Sequence, residues 1–340
     1  MLDPRGGGAA GGAVDSGLRT ADCGLRIAFG IRSSGFGLGI DRTDFRAALA
    51  RGRPAPPPLY GGQSIWHGRQ RNVSKYWHVF NVGIQNTLVY RMNFLFRATF
   101  ALIPLMGTLY LWRTIFASNP ERGQIAGYSL ASMTSYYLLV TVVDALTAVT
   151  EDDWQIAADI RDGRISQFLL KPLDYLAYRL CLFAAGRFVY TLTALLPAGV
   201  FLAIQHEYLV PAADWLAVGA FLLATVLTAL LQFLMSYTMA LLAFWVLEIS
   251  TFIFIVYALE YLAGGHLFPL DILPAPLAQA LNFTPFPYQM YFPVSIYLGR
   301  VSGREMWQGL AIQAVWVALA FFLARFVWRR GIRRYSAYGG

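Results

Sequence analysis

From Trp215 to His266 the chain runs 52 residues with only two carboxylates, Glu248 and Glu260, interrupting it. As one straight helix this stretch would be about 78 Å long, against about 30 Å of hydrocarbon in a bilayer. It must therefore fold back on itself, with its backbone polar groups paired within helices. Ser236, Tyr237 and Glu248 bracket the place where a polar turn fits.

Four further apolar runs are each long enough to cross once. They span about Phe94–Phe116, Tyr128–Val149, Leu180–Ile204 and Met306–Trp328. Pro104 sits midway along the first as a kink, with Arg97 and Arg113 spaced to snorkel towards an interface. The last run stops at Arg329-Arg-Gly-Ile-Arg-Arg334, a charge block too costly to bury in lipid. With the folded-back stretch supplying two crossings, the expected architecture is all-α: a polytopic integral membrane protein with six transmembrane helices. Composition agrees, since only 14% of residues are charged, where soluble domains carry about 25%.

Six crossings put both ends on one side, which the basic side chains can identify. Arg69, Arg71, Lys75, Arg91 and Arg97 precede or open the first crossing. Arg161, Arg164, Lys171, Arg179 and Arg187 follow the second, and Arg325, Arg329, Arg330, Arg333 and Arg334 close the chain. The opposite side holds only Arg113, Arg122, Arg300 and Arg304. Both termini are thus expected in the cytoplasm of a multi-pass plasma-membrane protein. The net charge of +8 is explained by loops beside lipid headgroups, so membrane lipid and no nucleic acid is the expected partner.

Residues 1–70 are rich in Gly, Ala, Arg and Pro, including Arg51-Gly-Arg-Pro-Ala-Pro-Pro-Pro58, and lack the large apolar side chains of a core. They are expected to be a disordered leader, either a regulatory arm or a dispensable extension, ahead of a membrane domain over 71–340. No cleavable signal sequence follows Met1, so the first crossing would serve for targeting. Cys23 and Cys181 offer no disulfide or zinc framework.

The most informative polar stretch, 150–172, separates the second and third crossings: Thr150-Glu-Asp-Asp-Trp-Gln-Ile-Ala-Ala-Asp-Ile-Arg-Asp-Gly163, then Arg164-Ile-Ser-Gln-Phe-Leu-Leu-Lys-Pro172. It predicts a short cytoplasmic helix. Thr150 can cap it, Asp153 completes a capping box, the acids favour its positive end, and Gly163 stops it. Trp154, Ala157, Ala158 and Ile160 or Arg161 recur at helical spacing, giving a partly apolar face. Periodicity leaves two readings open: a docking helix for a cytoplasmic partner, or an amphipathic helix resting on headgroups.

The run Asp159-Ile-Arg-Asp-Gly-Arg-Ile-Ser-Gln-Phe-Leu-Leu-Lys-Pro-Leu173 resembles the loop after the second helix of ABC-2-type transporter permeases. Lys75-Tyr-Trp77 and Tyr90-Arg-Met-Asn-Phe94 resemble the start of such permeases. Ala263-Gly-Gly-His-Leu-Phe-Pro-Leu-Asp271 resembles the segment after their fifth helix, and Arg333-Arg-Tyr-Ser-Ala-Tyr-Gly-Gly340 fits their ending. The likeness covers about residues 74–340 and extends to the six-helix plan. It implies the membrane subunit of an ABC export system, paired with a second permease copy or a paralogue and with two ABC ATPase subunits. It further implies that Glu151–Lys171 contact the ATPase. Asp159, Arg161, Gly163 and Pro172 are the positions carried over, and Glu151, Asp152, Trp154, Arg164 and Lys171 complete the expected coupling interface.

A self-powered pump would need a Gly-Lys-Ser/Thr phosphate loop, yet neither Lys75 nor Lys171 follows a glycine. ATP and Mg are therefore expected on the partner subunit, with no cofactor on this chain. No Gly-x-Ser-x-Gly or His-Glu-x-x-His run appears, so no catalytic residue is assigned. His67, His78, His206 and His266 lie in separate segments as lone loop histidines, and no metal site is expected.

Among ionisable residues in or near the crossings, Asp144, Arg187 and Glu248 are read as reaching water. Glu260 lies deeper and is the candidate translocation-path residue, a helix–helix contact being the equal alternative. From 268 to 304, prolines at 269, 274, 276, 285, 287 and 293 alternate with aromatics and exclude a span. They predict an extracytoplasmic cap with a half-helix near Ala275–Leu281, or an aromatic belt anchoring the last helix. The expected mechanism is mechanical: ATPase closure moves the 151–171 helix and tilts the second and third crossings. The rival readings are an ion-coupled secondary transporter using Glu260 or Asp144, and a membrane-embedded enzyme or assembly factor.

Overall fold

The computed structural model describes residues 67–118, 123–149, 152–212 and 214–335, the side chains of 67–73, Asp152 and Asp153 excepted. The expected leader up to residue 66, together with Thr150 and Glu151, lies outside the described residues. All described residues belong to one unit, Ile65–Gly340.

Helix α1 (His67–Leu88) opens inside the range expected for the leader and was not legible as an element, because polar residues interrupt its apolar face. It packs along α6 (Tyr175–Ile204). Close approach depends on Gly83, where a Cβ would meet Ala185 Cβ at 2.9 Å. Phe80 stacks on Trp77 at 5.6 Å and meets Phe188 at 6.5 Å. The Asp174 N–H donates to Tyr76 Oη (3.2 Å), tying α1 to the start of α6.

Among the described residues five helices are long and apolar enough to cross a bilayer. They are α2 (Arg91–Ala117), α3 (Leu130–Thr147), α6, α7 (Trp215–Ala240, extended by a 3-10 turn at Leu241–Phe244) and α11 (Gly303–Arg334). Helix α2 runs through Pro104 without a break in its assignment. The fold-back falls at 245–249, and of the expected bracket only Glu248 lies in it. Ser236 and Tyr237 are buried inside α7. Glu248 Oε1 accepts from the Ser250 N–H at 2.9 Å and from the Ser250 hydroxyl, opening α8 (Ser250–Ala263). Helix α8 has 14 residues, about 21 Å of helix, too short to cross on its own. It ends because the Gly264 N–H closes on Glu260 O (2.7 Å) and Gly265, at φ 92°, turns the chain.

Helix α7 lies at the centre, packed against α3, α11, α10 (Tyr291–Tyr297) and the loop helix α4 (Asp152–Arg161), while α6 gathers α1, α2 and α3. Two apolar cores result. At the cap end, Tyr128, Tyr136, Phe221, Met290, Ile296 and Leu310 pack together. At the loop end, Ile156, Phe168, Phe233, Tyr237, Leu241 and Ile249 do. Gln313 of α11 is buried between α7 and the cap, its Nε2 donating to Ala224 O (3.0 Å), Thr228 Oγ1 (3.1 Å) and Tyr288 O (2.9 Å). Phe96, Phe100, Leu196, Phe254 and Phe322 are exposed, as suits helices facing lipid.

The cap contains the expected half-helix, α9 (Ala275–Leu281). Its organiser is Asp271, which sequence reasoning missed. The carboxylate accepts from Tyr128 Oη (2.8 Å) and Tyr291 Oη (2.7 Å) and lies 3.4 Å from Arg300 Nε. Arg300 also sits over the Tyr128 ring at 3.8 Å. Burial, then the neighbouring Asp271 charge, push the Tyr128 hydroxyl far above its usual value, so it remains a donor.

Candidate functional site

The loop between α3 and α6 folds as two short helices. Helix α4 stops where Gly163 takes φ 74°, a left-handed conformation that glycine adopts without strain, and α5 (Ile165–Leu169) follows. Ser166 Oγ donates back to Gly163 O (2.7 Å). The buried face of the pair is Ile156, Ala157, Ile160, Ile165 and Phe168. The apolar stripe expected through Trp154 and Ala158 is thus rotated: Trp154 is exposed, because its amphipathic ring satisfies an apolar pattern without requiring burial.

The expected coupling residues divide into two groups. Asp159 turns inward, pairing with Arg179 of α6 and accepting from Tyr175 Oη (3.1 Å), and Arg179 Nε donates to Tyr175 Oη at 3.0 Å. Arg179 was counted among the loop basics, yet it is buried and stacked 5.4 Å over the Tyr175 ring. Arg161 reaches the fold-back turn, donating to Leu247 O (3.2 Å). Trp154, Arg164, Lys171 and Pro172 face outward, Arg164 paired with Asp162. Beside them Leu170 is 88% exposed, and Leu247 across the Arg161 contact is 83% exposed. At the start of α6, burial opposes the charge on Asp174, but the hydrogen bond from Arg325 and that from the Ala177 N–H hold its carboxyl below the usual range. This pair joins α6 to α11.

The second candidate, Glu260, is held between helices. Gln232 Nε2 of α7 donates to its Oε1 at 2.8 Å. Gln232 and Glu260 line a cavity of about 170 Å³ with Asp144, Ser236 and His266. His266, expected as a lone loop histidine, has its Nε2 3.8 Å from Asp144 Oδ1 and its ring stacked on Tyr261. A separation of 122 positions hid that pairing from any spacing rule. Arg187, expected to reach water, is instead buried over the rings of Tyr190 (5.0 Å) and Phe183 (6.0 Å). Among the described residues no three His, Cys, Asp or Glu side chains converge as a metal site.

Five crossing-length helices, a folded polar loop at one end and a proline-rich cap at the other define a multi-pass membrane protein. A family model described as ABC-2 family transporter protein matches residues 102–339, and the chain belongs to that family. Its members are membrane permeases of ABC systems, transport subunits that associate with an ABC ATPase. No curated protein matches the chain.

Proposed function

We propose that this chain is the membrane-spanning subunit of an ABC exporter, with α4 and α5 forming the surface that receives a separate ATPase. The observation that carries the reading is the exposed rim of Trp154, Arg164, Leu169, Leu170 and Leu247 on a loop unit whose opposite face is buried on α7. A loop helix that only filled space would not need such a rim beside paired Asp162 and Arg164. Exposed Lys171 and Pro172 flank this surface, and Glu151 and Asp152 are assigned to it by sequence alone. On this reading the chain crosses the membrane six times with both termini cytoplasmic, α8 and the turn after it making the fifth crossing. It works as a homodimer or with a paralogue in a bacterial inner membrane. ATP and Mg bind the partner, and the chain exports or flips its substrate without doing covalent chemistry.

The test is co-purification in mild detergent from the native host. Wild type is expected to retain a nucleotide-binding subunit. Leu170→Asp with Arg164→Glu, at two exposed positions, is expected to lose it while keeping the wild-type melting midpoint. Equal retention by the double variant would remove α4–α5 as the coupling surface, and the absence of any ATPase with wild type in several detergents would overturn the exporter reading.

A further inference from the structure

The cavity between α3, α7 and α8 sets two carboxyl groups, a histidine, an amide and hydroxyls among otherwise apolar walls. Asp144 and Glu260 bring two carboxylates, and one histidine, His266, cannot offset both. Gln232 gives its amide N–H to Glu260 Oε1, so the amide oxygen is the end left over. What is left is Gln232 Oε1, without a hydrogen-bond partner although the residue is 5% exposed. One helical turn along α7, Ser236 Oγ is also unpartnered on a residue that is 7% exposed. Both residues line the cavity. Buried polar groups in folded proteins are nearly always satisfied, so two open oxygens and, with Nε2 turned to Asp144, the unpartnered Nδ1 of His266 describe a place for a donor that the chain itself does not supply.

We propose that this cavity binds the primary ammonium headgroup of an amphiphilic substrate. The cationic nitrogen lies between Asp144 and Glu260 and donates to Gln232 Oε1 and Ser236 Oγ. The volume of about 170 Å³ suits a headgroup and the first few carbons rather than a whole lipid. The carbon chain continues along Met235, Ile253 and Val256, which line the same cavity. A metal ion would gain nothing from the thioether and aliphatic walls, whereas an alkyl ammonium uses both surfaces. The inference rests on the transport reading and adds its substrate class.

The test is calorimetric titration of the purified full-length chain, in neutral detergent, with octylamine and separately with octan-1-ol. Wild type is expected to bind the amine saturably and the alcohol at least about tenfold more weakly, the loss of a charge-assisted contact. Glu260→Gln and Asp144→Asn are each expected to weaken the amine about tenfold and leave the alcohol unchanged. Ser236→Ala removes a hydroxyl that has no partner in the fold, so it should keep the wild-type melting midpoint while weakening the amine several-fold. Equal affinity for amine and alcohol, or Ser236→Ala and Glu260→Gln chains that melt as wild type and bind amine as tightly, would overturn the proposal. No ATPase is needed in this assay. A chain that retains its ATPase but ignores octylamine loses only the substrate assignment, and one that binds octylamine but never co-purifies with an ATPase loses only the exporter reading.

Discussion

Replacing Asp159 by alanine should detach the α4–α5 unit from α6. The carboxylate pairs with buried Arg179 and also accepts from Tyr175 Oη, so its removal strands a guanidinium in the loop-end core. Breaking one side of a buried ion pair costs about 3–5 kcal/mol. Two features reduce that here: the Asp159 side chain is 23% exposed, and Arg179 keeps Tyr175 Oη at 3.0 Å. A cost of about 2 kcal/mol follows, roughly a 30-fold rise in the population with the unit open. Limited trypsin digestion in non-ionic detergent reads that population through cleavage after Arg161 and Arg164, provided protease is low enough that closing outruns cutting. Asp159→Ala should therefore be cut about 30 times faster than wild type. Asp159→Leu with Arg179→Met, which exchanges the pair for packed apolar side chains, should return most of the way. Cleavage of Asp159→Ala within threefold of wild type would refute the clamp, as would a double variant cut as fast as the single one.

Gly265→Ala should lower the melting midpoint, because φ is 92° and the new Cβ would lie 2.7 Å from Tyr136 Oη and 2.9 Å from Tyr291 Cβ. Strain and overpacking together amount to at least about 2 kcal/mol, and an unchanged midpoint would contradict this account of the turn. Gln313→Leu keeps the volume but withdraws the donor from Ala224 O, Thr228 Oγ1 and Tyr288 O, and should cost about 1–2 kcal/mol on the same melting assay. For Asp174 the folded carboxyl titrates below its unfolded value of about 3.9, so its stabilisation is present above that pH and is lost as pH falls through the folded value. The drop in melting midpoint from pH 5 to pH 3 should accordingly be larger in wild type than in Asp174→Asn.

The crossing helices were legible because bilayer thickness limits them one by one, and α9 because Pro274 fixes its start. Gly163 was legible as a stop for the same local reason. What escaped the sequence depends on partners distant in the chain. Helix α1 finds its place through contacts with α6 such as Gly83 against Ala185 and Phe80 against Phe188, and α4 sets its buried face by Phe233 and Tyr237 of α7 rather than by its own pattern. Asp159 was picked out as an outward contact, but nothing near it in sequence announces Arg179 as its partner. Asp271 and His266 were hidden alike, since Tyr128 and Asp144 meet them from across the fold. The end of α8 was not legible because apolar residues run on past Gly264, while the backbone does not continue as helix.

The same contacts bear on the expected mechanism. A lever acting on the second and third crossings needs α4 to be fastened to them, and its observed fastening is to α6. Its clamp is on α6 and its apolar face is on α7. Within α7, Phe233 and Tyr237 pack in the core that contains α4, and their neighbours Gln232 and Ser236 stand in the wall of the cavity. Successive residues on a helix are about 100° apart, so one rigid element presents one face to the loop unit and the adjoining face to the proposed ammonium site. Close-packed interiors respond to displacement by moving whole elements. On the proposed function, a push on α4 thus reaches the two open oxygens as a movement of α7 against α8. Because Glu260 is bonded to Gln232 across that boundary, such a movement would act on the Gln232–Glu260 contact in the wall of the proposed site.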